Sequence, residues 1–326
     1  MQQKRYEFLL EAETPVAHHE GNEGNNAIAM RRKVRLEDGT YARVPCITGD
    51  TMRHGLREAS AYVFLDAAGL LENEVLTRAA CRLLFSGGMV TGRGDTGAVS
   101  MDRYRELCEL CPPLALLGGC CDSRVIPGRL VVEDPRLVCI EQQRYLPQWI
   151  KDAVPEPDTC RGFVDEQQRV RMDPMLDPGK RKLLLGSEQV EENDRLLKGE
   201  KAHEENDALA RDDAKSTMLP RSFECLIQGS LFSWVVEATC YSDLEVDTLH
   251  VMLGAFLSRP VVGGKKATGH GRLRALEARG VQITRPKDSA EVLDVNALGA
   301  RVGEQFRAHI AERKPRIKEW LSRVDA

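Results

Sequence analysis

Two strands and a helix are predicted in series by RSFECLIQGSLFSWVVEATCY (residues 221–241) and VDTLHVMLGAFLS (residues 246–258). Apolar and polar residues alternate on both sides of Gly229, and this period of two is typical of strands. The alternating apolar positions are Phe223, Cys225 and Ile227, then Phe232, Trp234, Val236 and Ala238. In residues 246–258 the apolar residues recur at helical spacing, so a helix should follow the second strand.

The flanking sequence extends this pattern in both directions. RYEFLLEA (residues 5–12) predicts a first strand, and apolar residues recur at helical spacing through residues 52–67. Residues 129–140 return to β-rich sequence interrupted by a proline, and RLRALEA (residues 272–278) predicts a last strand. The order β-α-β, then β-α-β, predicts an α+β fold: an RRM-like or ferredoxin-like palm with a helical insertion and a projecting thumb.

The palm is expected to be built from three separate pieces of the chain. These are residues 1–69, 126–150 and 216–285, with residues 70–125 as the helical insertion, residues 151–215 as the thumb or arm, and residues 286–326 as a C-terminal helical segment. Pro315 should break the closing helix, because proline removes a main-chain hydrogen bond. HHEGNEGNN, residues 18–26, should be an exposed loop.

Charge is distributed unevenly along the 326 residues, whose net charge is −4. This balance argues against a general nucleic-acid coat, which draws on an excess of Lys and Arg. Residues 31–43 nevertheless hold five basic and two acidic residues, whereas residues 186–213 hold ten acidic and four basic ones. A polyanion would therefore have to meet selected basic surfaces and avoid the acidic segment.

The sequence favours a cytoplasmic protein that does not enter a membrane. No stretch reaches the roughly 20 consecutive apolar residues of a membrane helix, and the N-terminus has no apolar signal core. The ten cysteines are scattered, so in a reducing compartment they should be thiols or metal ligands.

Four segments, in this order, resemble the RAMP superfamily of CRISPR proteins, and within it the backbone subunits of the Cas-seven family. They are VPCITGDTMRHGLREA (44–59), CPPLALLGGCCDSRVIPGRLVVEDP (111–135), LPRSFECLIQGSLFSWVVEA (219–238) and the Gly-rich GGKKATGHGRLRA (263–275). The His-Gly of the first segment and the large charged arm are most similar to the type IV version of this subunit.

The resemblance implies a subunit that binds guide RNA (crRNA) through its backbone and stacks head to tail with copies of itself into a helical filament. Other CRISPR effector subunits and a target nucleic acid, paired to the guide, are the further partners it implies. Because base pairing reads the target, the protein needs only shape and phosphate contacts. No cofactor, metal or membrane is implied, and DNA and RNA both remain open as target.

Candidate RNA-binding residues fall in four groups. Phosphate contacts are expected from the helix start (Arg53, His54, Arg57), the basic run before it (Arg31, Arg32, Lys33, with Arg35 beside them) and the Gly-rich loop (Lys265, Lys266, His270, Arg272). For each group the alternative is a solvated charged surface. A thumb that wedges between guide bases is expected at residues 161–185, with Arg169, Arg171, Met172, Met175, Lys180, Arg181 and Lys182.

No catalysis is predicted. Related subunits that cut target RNA use an Asp whose position here falls near Arg31 or Arg32, and the nearest acids, Glu37 and Asp38, lie in a predicted hairpin turn. The alternative from another class is a metal-independent ribonuclease that processes guide RNA with His18 and His19 as acid and base. Adjacent residues of a strand point to opposite faces, which disfavours that pair.

Two further patterns have competing interpretations. Gly92, Gly94 and Gly97 form G-x-G-x-x-G, but no clear strand precedes them and no acid follows at the distance that dinucleotide binding expects. Four sulfurs could surround zinc, although buried free thiols are the commoner outcome for such residues. These are Cys108, Cys111, Cys120 and Cys121.

Overall fold

The computed structural model describes residues 1–71, 76–88, 97–121, 124–170, 189, 191, 220–282, 289–293 and 303–324. The chain divides into two compact units. The first unit comprises Met1–His18, Ala29–Val164 and Cys225–Ala326, and the second comprises His19–Ile28 and Asp165–Glu224.

The elements are numbered here in chain order. The strands are β1 (Gln2–Ala12), β2 (His19–Glu23), β3 (Asn26–Ala29), β4 (Arg31–Arg35), β5 (Tyr41–Pro45), β6 (Gly97–Ala98), β7 (Gly119–Cys121), β8 (Arg124–Ile126), β9 (Leu130–Val132), β10 (Arg136–Leu137), β11 (Val164–Val170), β12 (Pro220–Leu226), β13 (Leu231–Cys240), β14 (Leu273–Gln282) and β15 (Ser289–Leu293). The helices are α1 (Gly49–Ala67), α2 (Arg78–Ser86), α3 (Met101–Leu110), α4 (Pro112–Leu117), α5 (Gln148–Ala153), α6 (Asp243–Ser258) and α7 (Glu304–Arg323).

The palm sheet confirms the predicted α+β class. Its strands lie in the order β10-β13-β1-β14-β15, with β9 also paired to β13, and every neighbouring pair is antiparallel. Helix α1 lies in the chain between β1 and β9, and α6 lies between β13 and β14. This is the arrangement that a β-α-β-β-α-β chain produces when the first strand takes the centre of the sheet.

One face of the sheet packs against α1 and α6. Phe8 of β1 and Trp234 of β13 have ring centroids 5.0 Å apart, and Trp234 meets Phe256 of α6 at 5.7 Å. Met52 and Leu56 of α1 belong to the same buried cluster. The apolar residues spaced along the strands and along the helices therefore pack into one core, as the periodicity predicted.

The opposite face of the sheet is partly covered by the chain between β10 and α5. Leu9 of β1 packs with Leu146 and Ile150 beneath the segment that ends in α5. Trp149 Nε1 donates to Glu7 Oε2 at 2.8 Å, and the Arg279 guanidinium lies 4.5 Å from the Trp149 ring centroid. Aromatic stacking of RNA on this part of the sheet is thus excluded by the protein's own chain.

A second cluster joins the helices of the expected insertion to the C-terminus. Phe64, Leu83, Leu107, Phe306 and Ile310 are buried together. Helices α2, α3 and α4 lie in the range 70–125, and residues 119–126 add strands β7 and β8.

Helix α7 runs unbroken through Pro315, which corrects the predicted break. Ile310 lies before the proline, and Ile317, Trp320 and Leu321 lie after it, all of them buried. Packing on both sides thus holds the two halves of α7 against one core and outweighs the roughly 3 kcal/mol that proline costs inside a helix.

Three other segments differ from the sequence-based expectation. Residues 18–26 do not form a plain loop, because β2 and β3 pair with each other there and β3 pairs with β12. Strand β12, expected in the palm sheet, belongs instead to the sheet β11-β12-β3-β2. Strand β15 lies within residues 286–326, where helix alone was expected.

Candidate nucleic-acid interface

The Gly-rich loop between α6 and β14 is anchored to the chain after β1. Gly264 N–H donates to Ala17 O at 2.7 Å, and Gly271 N–H donates to Pro15 O at 2.9 Å. Gly271 has φ +86°, and a Cβ there would lie 1.9 Å from Val262 O, so only glycine fits. The loop is therefore a built turn, held at both ends.

This loop forms one wall of an open cleft of about 600 Å³ in the first unit. Helix α1 contributes Gly55, Glu58, Ala59, Tyr62 and Val63; the end of α6 contributes Ala255, Phe256, Ser258 and Arg259; and the loop with its flanks contributes Val261, Lys266, Gly269, His270 and Arg272. A Cβ on Gly55 would come within 2.8 Å of the Phe256 ring, so glycine allows the two helices to approach closely. The charged residues of the lining are three cations, Arg259, Lys266 and Arg272, and one carboxylate, Glu58.

Three of the four loop residues predicted to bind RNA, Lys266, His270 and Arg272, line this cleft together. Lys265 is exposed beside them. Its φ is +56°, and among the described residues it is the only one other than glycine that has a positive φ. His270 is 7% exposed, and its Nδ1 lies 3.4 Å from Thr268 Oγ1. Outlying backbone geometry of this kind concentrates at functional sites.

Arg57 is buried, which corrects its prediction as a phosphate contact, whereas Arg53 is half-buried and its contact with phosphate stays a prediction. Arg53 Nη1 donates to Leu130 O at 2.7 Å and its Nη2 donates to Leu117 O. Arg57 is 8% exposed and its Nη2 donates to Gly118 O at 3.0 Å. Burial, and then the charge of Arg53, lower the pKa of Arg57 to about 10. Both side chains brace the turn after α4, whereas His54 remains exposed on α1.

The N-terminus of α1 already holds an internal anion. Asp134 Oδ1 accepts the Gly49 N–H at 2.6 Å, and Asp134 Oδ2 accepts Arg32 Nε at 3.0 Å. Thr48 caps the same helix end by accepting from Thr51 N–H. Arg32 thus joins β4 to the helix start, and a phosphate would have to displace Asp134 to bind there.

The basic run before α1 forms a two-stranded ribbon, β4–β5, where the sequence had indicated only a basic segment. Arg31 and Lys33 lie on the opposite side of β4 from Arg32, since side chains alternate along a strand. The predicted turn at its tip is confirmed: Asp38 Oδ1 accepts from Thr40 N–H at 2.9 Å and from Thr40 Oγ1 at 2.6 Å. Hydrogen bonds from Thr40 lower the pKa of Asp38.

The predicted thumb is described only at its start. Arg169 lies in β11. Arg171, Met172, Met175, Lys180, Arg181 and Lys182 lie outside the described residues. Contact of the thumb with RNA stays a prediction.

The two histidines of the ribonuclease alternative have separate partners. His18 Nε2 lies 3.1 Å from Thr48 Oγ1 in the first unit. His19 Nε2 lies 3.0 Å from Glu224 O, and its ring meets the Phe223 ring edge to face at 6.0 Å, in the second unit.

Among the described residues, no three His, Cys, Asp or Glu side chains are grouped so as to hold a metal ion. Of the four candidate zinc ligands, Cys111 and Cys121 are buried. Burial raises the pKa of Cys111 to about 12. Gly92 and Gly94 lie outside the described residues. None of the helices in the described part of the chain has the length and apolar character needed to cross a bilayer.

The fold is similar to that of a solved chain described as part of a Type IV-B CRISPR Complex. The two chains share 16% sequence identity with a TM-score of 0.52, and the alignment covers 90% of this chain and 96% of that one. At this identity the likeness concerns the fold. No protein-family model and none of the curated proteins matches the sequence.

Proposed function

We propose that this chain is a subunit of a CRISPR effector complex that binds the backbone of a single-stranded guide RNA. The observation that carries the proposal is the cationic cleft between α1, α6 and the Gly-rich loop, in which Arg259, Lys266 and Arg272 outnumber Glu58. The fold shared with a chain of a Type IV-B CRISPR Complex supports the same assignment.

The cleft suits a sugar-phosphate backbone better than a base. Its cations come from two directions, α6 and the loop, as they would for a strand passing between them. Gly269 leaves the loop surface open, because a Cβ there would meet nothing within 4 Å. Contacts to phosphate carry no sequence information, which suits a guide whose sequence varies.

Copies of the chain would add head to tail along the guide, and target nucleic acid would reach the complex by pairing with it. A repeating head-to-tail contact that does not close into a ring gives a helical filament, and the RNA length then sets the number of copies. Other CRISPR effector subunits would cap this assembly. The chain itself would not cleave the target, since the acids nearest the expected position lie at the tip of the β4–β5 ribbon.

The test is purification of the full chain after co-expression with a candidate guide RNA. The expected product is a large particle with a high ratio of absorbance at 260 nm to that at 280 nm, holding RNA of discrete length and shrinking on ribonuclease treatment. Lys266→Glu with Arg272→Glu should yield a folded, RNA-free protein. The matched control reverses two exposed cations elsewhere, Arg105 and Arg323, and should retain the RNA.

Salt gives an independent check. Single-strand binding weakens with a slope of about −0.7 per phosphate neutralised in a plot of log affinity against log salt concentration. Removing two cleft cations should make the slope shallower by roughly 1.4. Wild-type protein that purifies as a nucleic-acid-free monomer, and that ignores added RNA at low salt, would contradict the proposal.

A further inference from the structure

One face of the β4–β5 ribbon packs on the palm, and the other is exposed except at its end beside α1, where Pro45 is buried and Arg31 half-buried. The register pairs Lys33 with Arg43, Val34 with Ala42, and Arg35 with Tyr41. Val34 and Ala42 pack against the main core, and so does the buried Val44. By the alternation of side chains, the outward face carries four cations and an aromatic ring. These are Arg31, Lys33, Arg35, Arg43 and Tyr41.

The outward face is cationic. Residues 31–35 and 41–45 hold no carboxylate, and the nearest acids in the sequence, Glu37 and Asp38, lie in the turn between the two strands. Lys33 and Arg35 are exposed cations on this face, so charge complementarity indicates a polyanionic ligand.

Two exposed tyrosines lie at the outer end of the same ribbon. Tyr41 is 59% exposed, and Lys33 Nζ lies 4.2 Å from its ring centroid. Tyr145 is 41% exposed, and its hydroxyl donates to Arg35 O at 2.9 Å, at the strand position paired with Tyr41. The Arg144 guanidinium lies 5.2 Å from the Tyr145 ring centroid. Each ring therefore has a cation beside it and much of its surface open.

We propose that this ribbon face is a stacking platform for unpaired bases of single-stranded nucleic acid, with Tyr41 and Tyr145 as the stacking rings. Lys33, Arg35 and Arg43 contact the flanking phosphates. Cations interleaved with exposed aromatic rings are the combination that single-strand binding uses, since every base offers a π-face and every nucleotide a charge. A duplex hides its base faces in the helical stack, so the platform selects single strands.

This inference rests on the proposed function, which supplies the nature of the ligand. It adds contact with bases to the contact with phosphates. The two sites are separable because the ribbon residues are distinct from those that line the cleft. A short oligonucleotide can therefore probe the ribbon in a chain whose cleft has been inactivated by Lys266→Glu and Arg272→Glu.

The experiment measures fluorescence anisotropy of a labelled oligouridylate with the full chain and its variants at low salt. Tyr41→Leu should weaken binding by about 5- to 150-fold, the range for the loss of one stacked base. Tyr41→Phe should stay within about twofold, because the ring remains. Tyr241→Leu is the matched control: Tyr241 is 60% exposed and has the Arg129 guanidinium 4.5 Å from its ring centroid, yet it lies far along the chain from the ribbon.

A second probe separates stacking from charge. With an abasic oligonucleotide of the same length, wild type and Tyr41→Leu should bind equally, because there is no base to stack. Three results would each overturn the platform. Tyr41→Leu could weaken binding of the abasic and the base-containing oligonucleotide equally, or Tyr41→Leu and Tyr41→Phe could weaken binding equally. The third is competition by polyglutamate as strong as that by oligouridylate.

The outcomes for the two proposals are distinct. Loss of guide RNA in the cleft variant, together with unchanged oligouridylate binding in Tyr41→Leu, removes the platform and leaves the proposed function standing. If oligouridylate binding depends on Tyr41 but the chain never retains guide RNA, the proposed function is removed and the platform stands.

Discussion

The guanidinium group of Arg129 and the carboxylate of Glu245 are joined by two parallel hydrogen bonds of 2.6 Å each. Their side chains are 10% and 12% exposed. The same carboxylate accepts the Tyr241 N–H at 2.6 Å, and Arg129 also donates to Thr239 O at 3.2 Å. The pair therefore ties the connection before β9 to the start of α6, and so fastens one edge of the palm sheet to a helix that lines the cleft.

Arg129→Met should destabilise the protein by about 3–5 kcal/mol, because it leaves the Glu245 carboxylate buried without its partner. Urea unfolding followed by circular dichroism measures this. Arg129→Met with Glu245→Leu should recover much of the loss, since no charge is then left unpaired. Arg105→Met removes an exposed ion pair with Asp102 and should change the free energy of unfolding by less than about 0.5 kcal/mol. Equal effects of the Arg129 and Arg105 substitutions would contradict this account.

Stability should depend on the protonation of Glu245. Burial alone would raise the pKa of this carboxyl, but hydrogen bonds from Arg129 and from Tyr241 N–H, with the charge of Arg129, outweigh burial and lower it. A carboxyl with a lowered folded-state pKa stabilises the protein above its unfolded pKa of about 4.3 and loses that contribution as pH falls through the folded value. The urea midpoint of the wild type should therefore fall more steeply below about pH 4.3 than that of Glu245→Gln. If the urea midpoints of the two proteins fell in parallel with pH, the Glu245 carboxyl would not be responsible for the loss of stability.

Two arginines that look alike in the sequence should behave in opposite ways. Arg57→Met should cost about 1–3 kcal/mol, because the carbonyl of Gly118 loses a charged hydrogen bond, and should leave RNA retention unchanged. Arg272→Met should reduce RNA retention with little change in the urea midpoint, because Arg272 is exposed at the cleft. Retention of RNA and unfolding of both variants, measured side by side, check this; an Arg57 variant that is stable but RNA-free would restore Arg57 to the interface.

Two glycines of the same loop should differ in their tolerance of alanine. Gly271→Ala places a Cβ 1.9 Å from Val262 O at φ +86° and should cost more than about 3 kcal/mol. Gly269 has φ +84° with open space around its Cβ position, so Gly269→Ala should cost only about 1 kcal/mol. Differential scanning calorimetry of the two variants decides the matter, and equal melting temperatures would mean that the loop is not held as described.

Periodicity predicted the palm because burial acts on every second strand residue and every third or fourth helix residue. Phe232, Trp234 and Val236 lie in the main core as their alternation indicated, although Ser233 and Val235 between them are also buried. The same reasoning could not assign β12 to its sheet, since alternation marks a strand but does not name its partner. Nor could it foresee the unbroken α7, where packing on both sides of Pro315 outweighs the local preference.

The candidate site was predicted in part. The Gly-rich loop marked Lys266, His270 and Arg272, because glycines at that spacing indicate a tight turn. Arg259 was missed since it follows α6 singly, outside any motif. Arg53 and Arg57 were assigned to the surface on their charge, whereas only the fold shows that the carbonyls of Leu117 and Gly118 turn towards them. Tyr41 and Tyr145 lie more than a hundred residues apart in the sequence, and only the fold shows that Tyr145 bonds to Arg35 O, at the strand position paired with Tyr41.

The central position of β1 bears on how the chain is made. Its register pairs Glu11 with Leu231 and Ala12 with Leu273, so the middle of the sheet must wait for residues that leave the ribosome roughly 220 and 260 positions later. At a synthesis rate of about 5–20 residues per second, the first strand spends on the order of 11–44 s without either neighbour. Its apolar run would be open to premature association for that time, and the high contact order of the palm makes its closure slow. Production of this protein should therefore respond more to chaperones and slow translation than to any change at its surface.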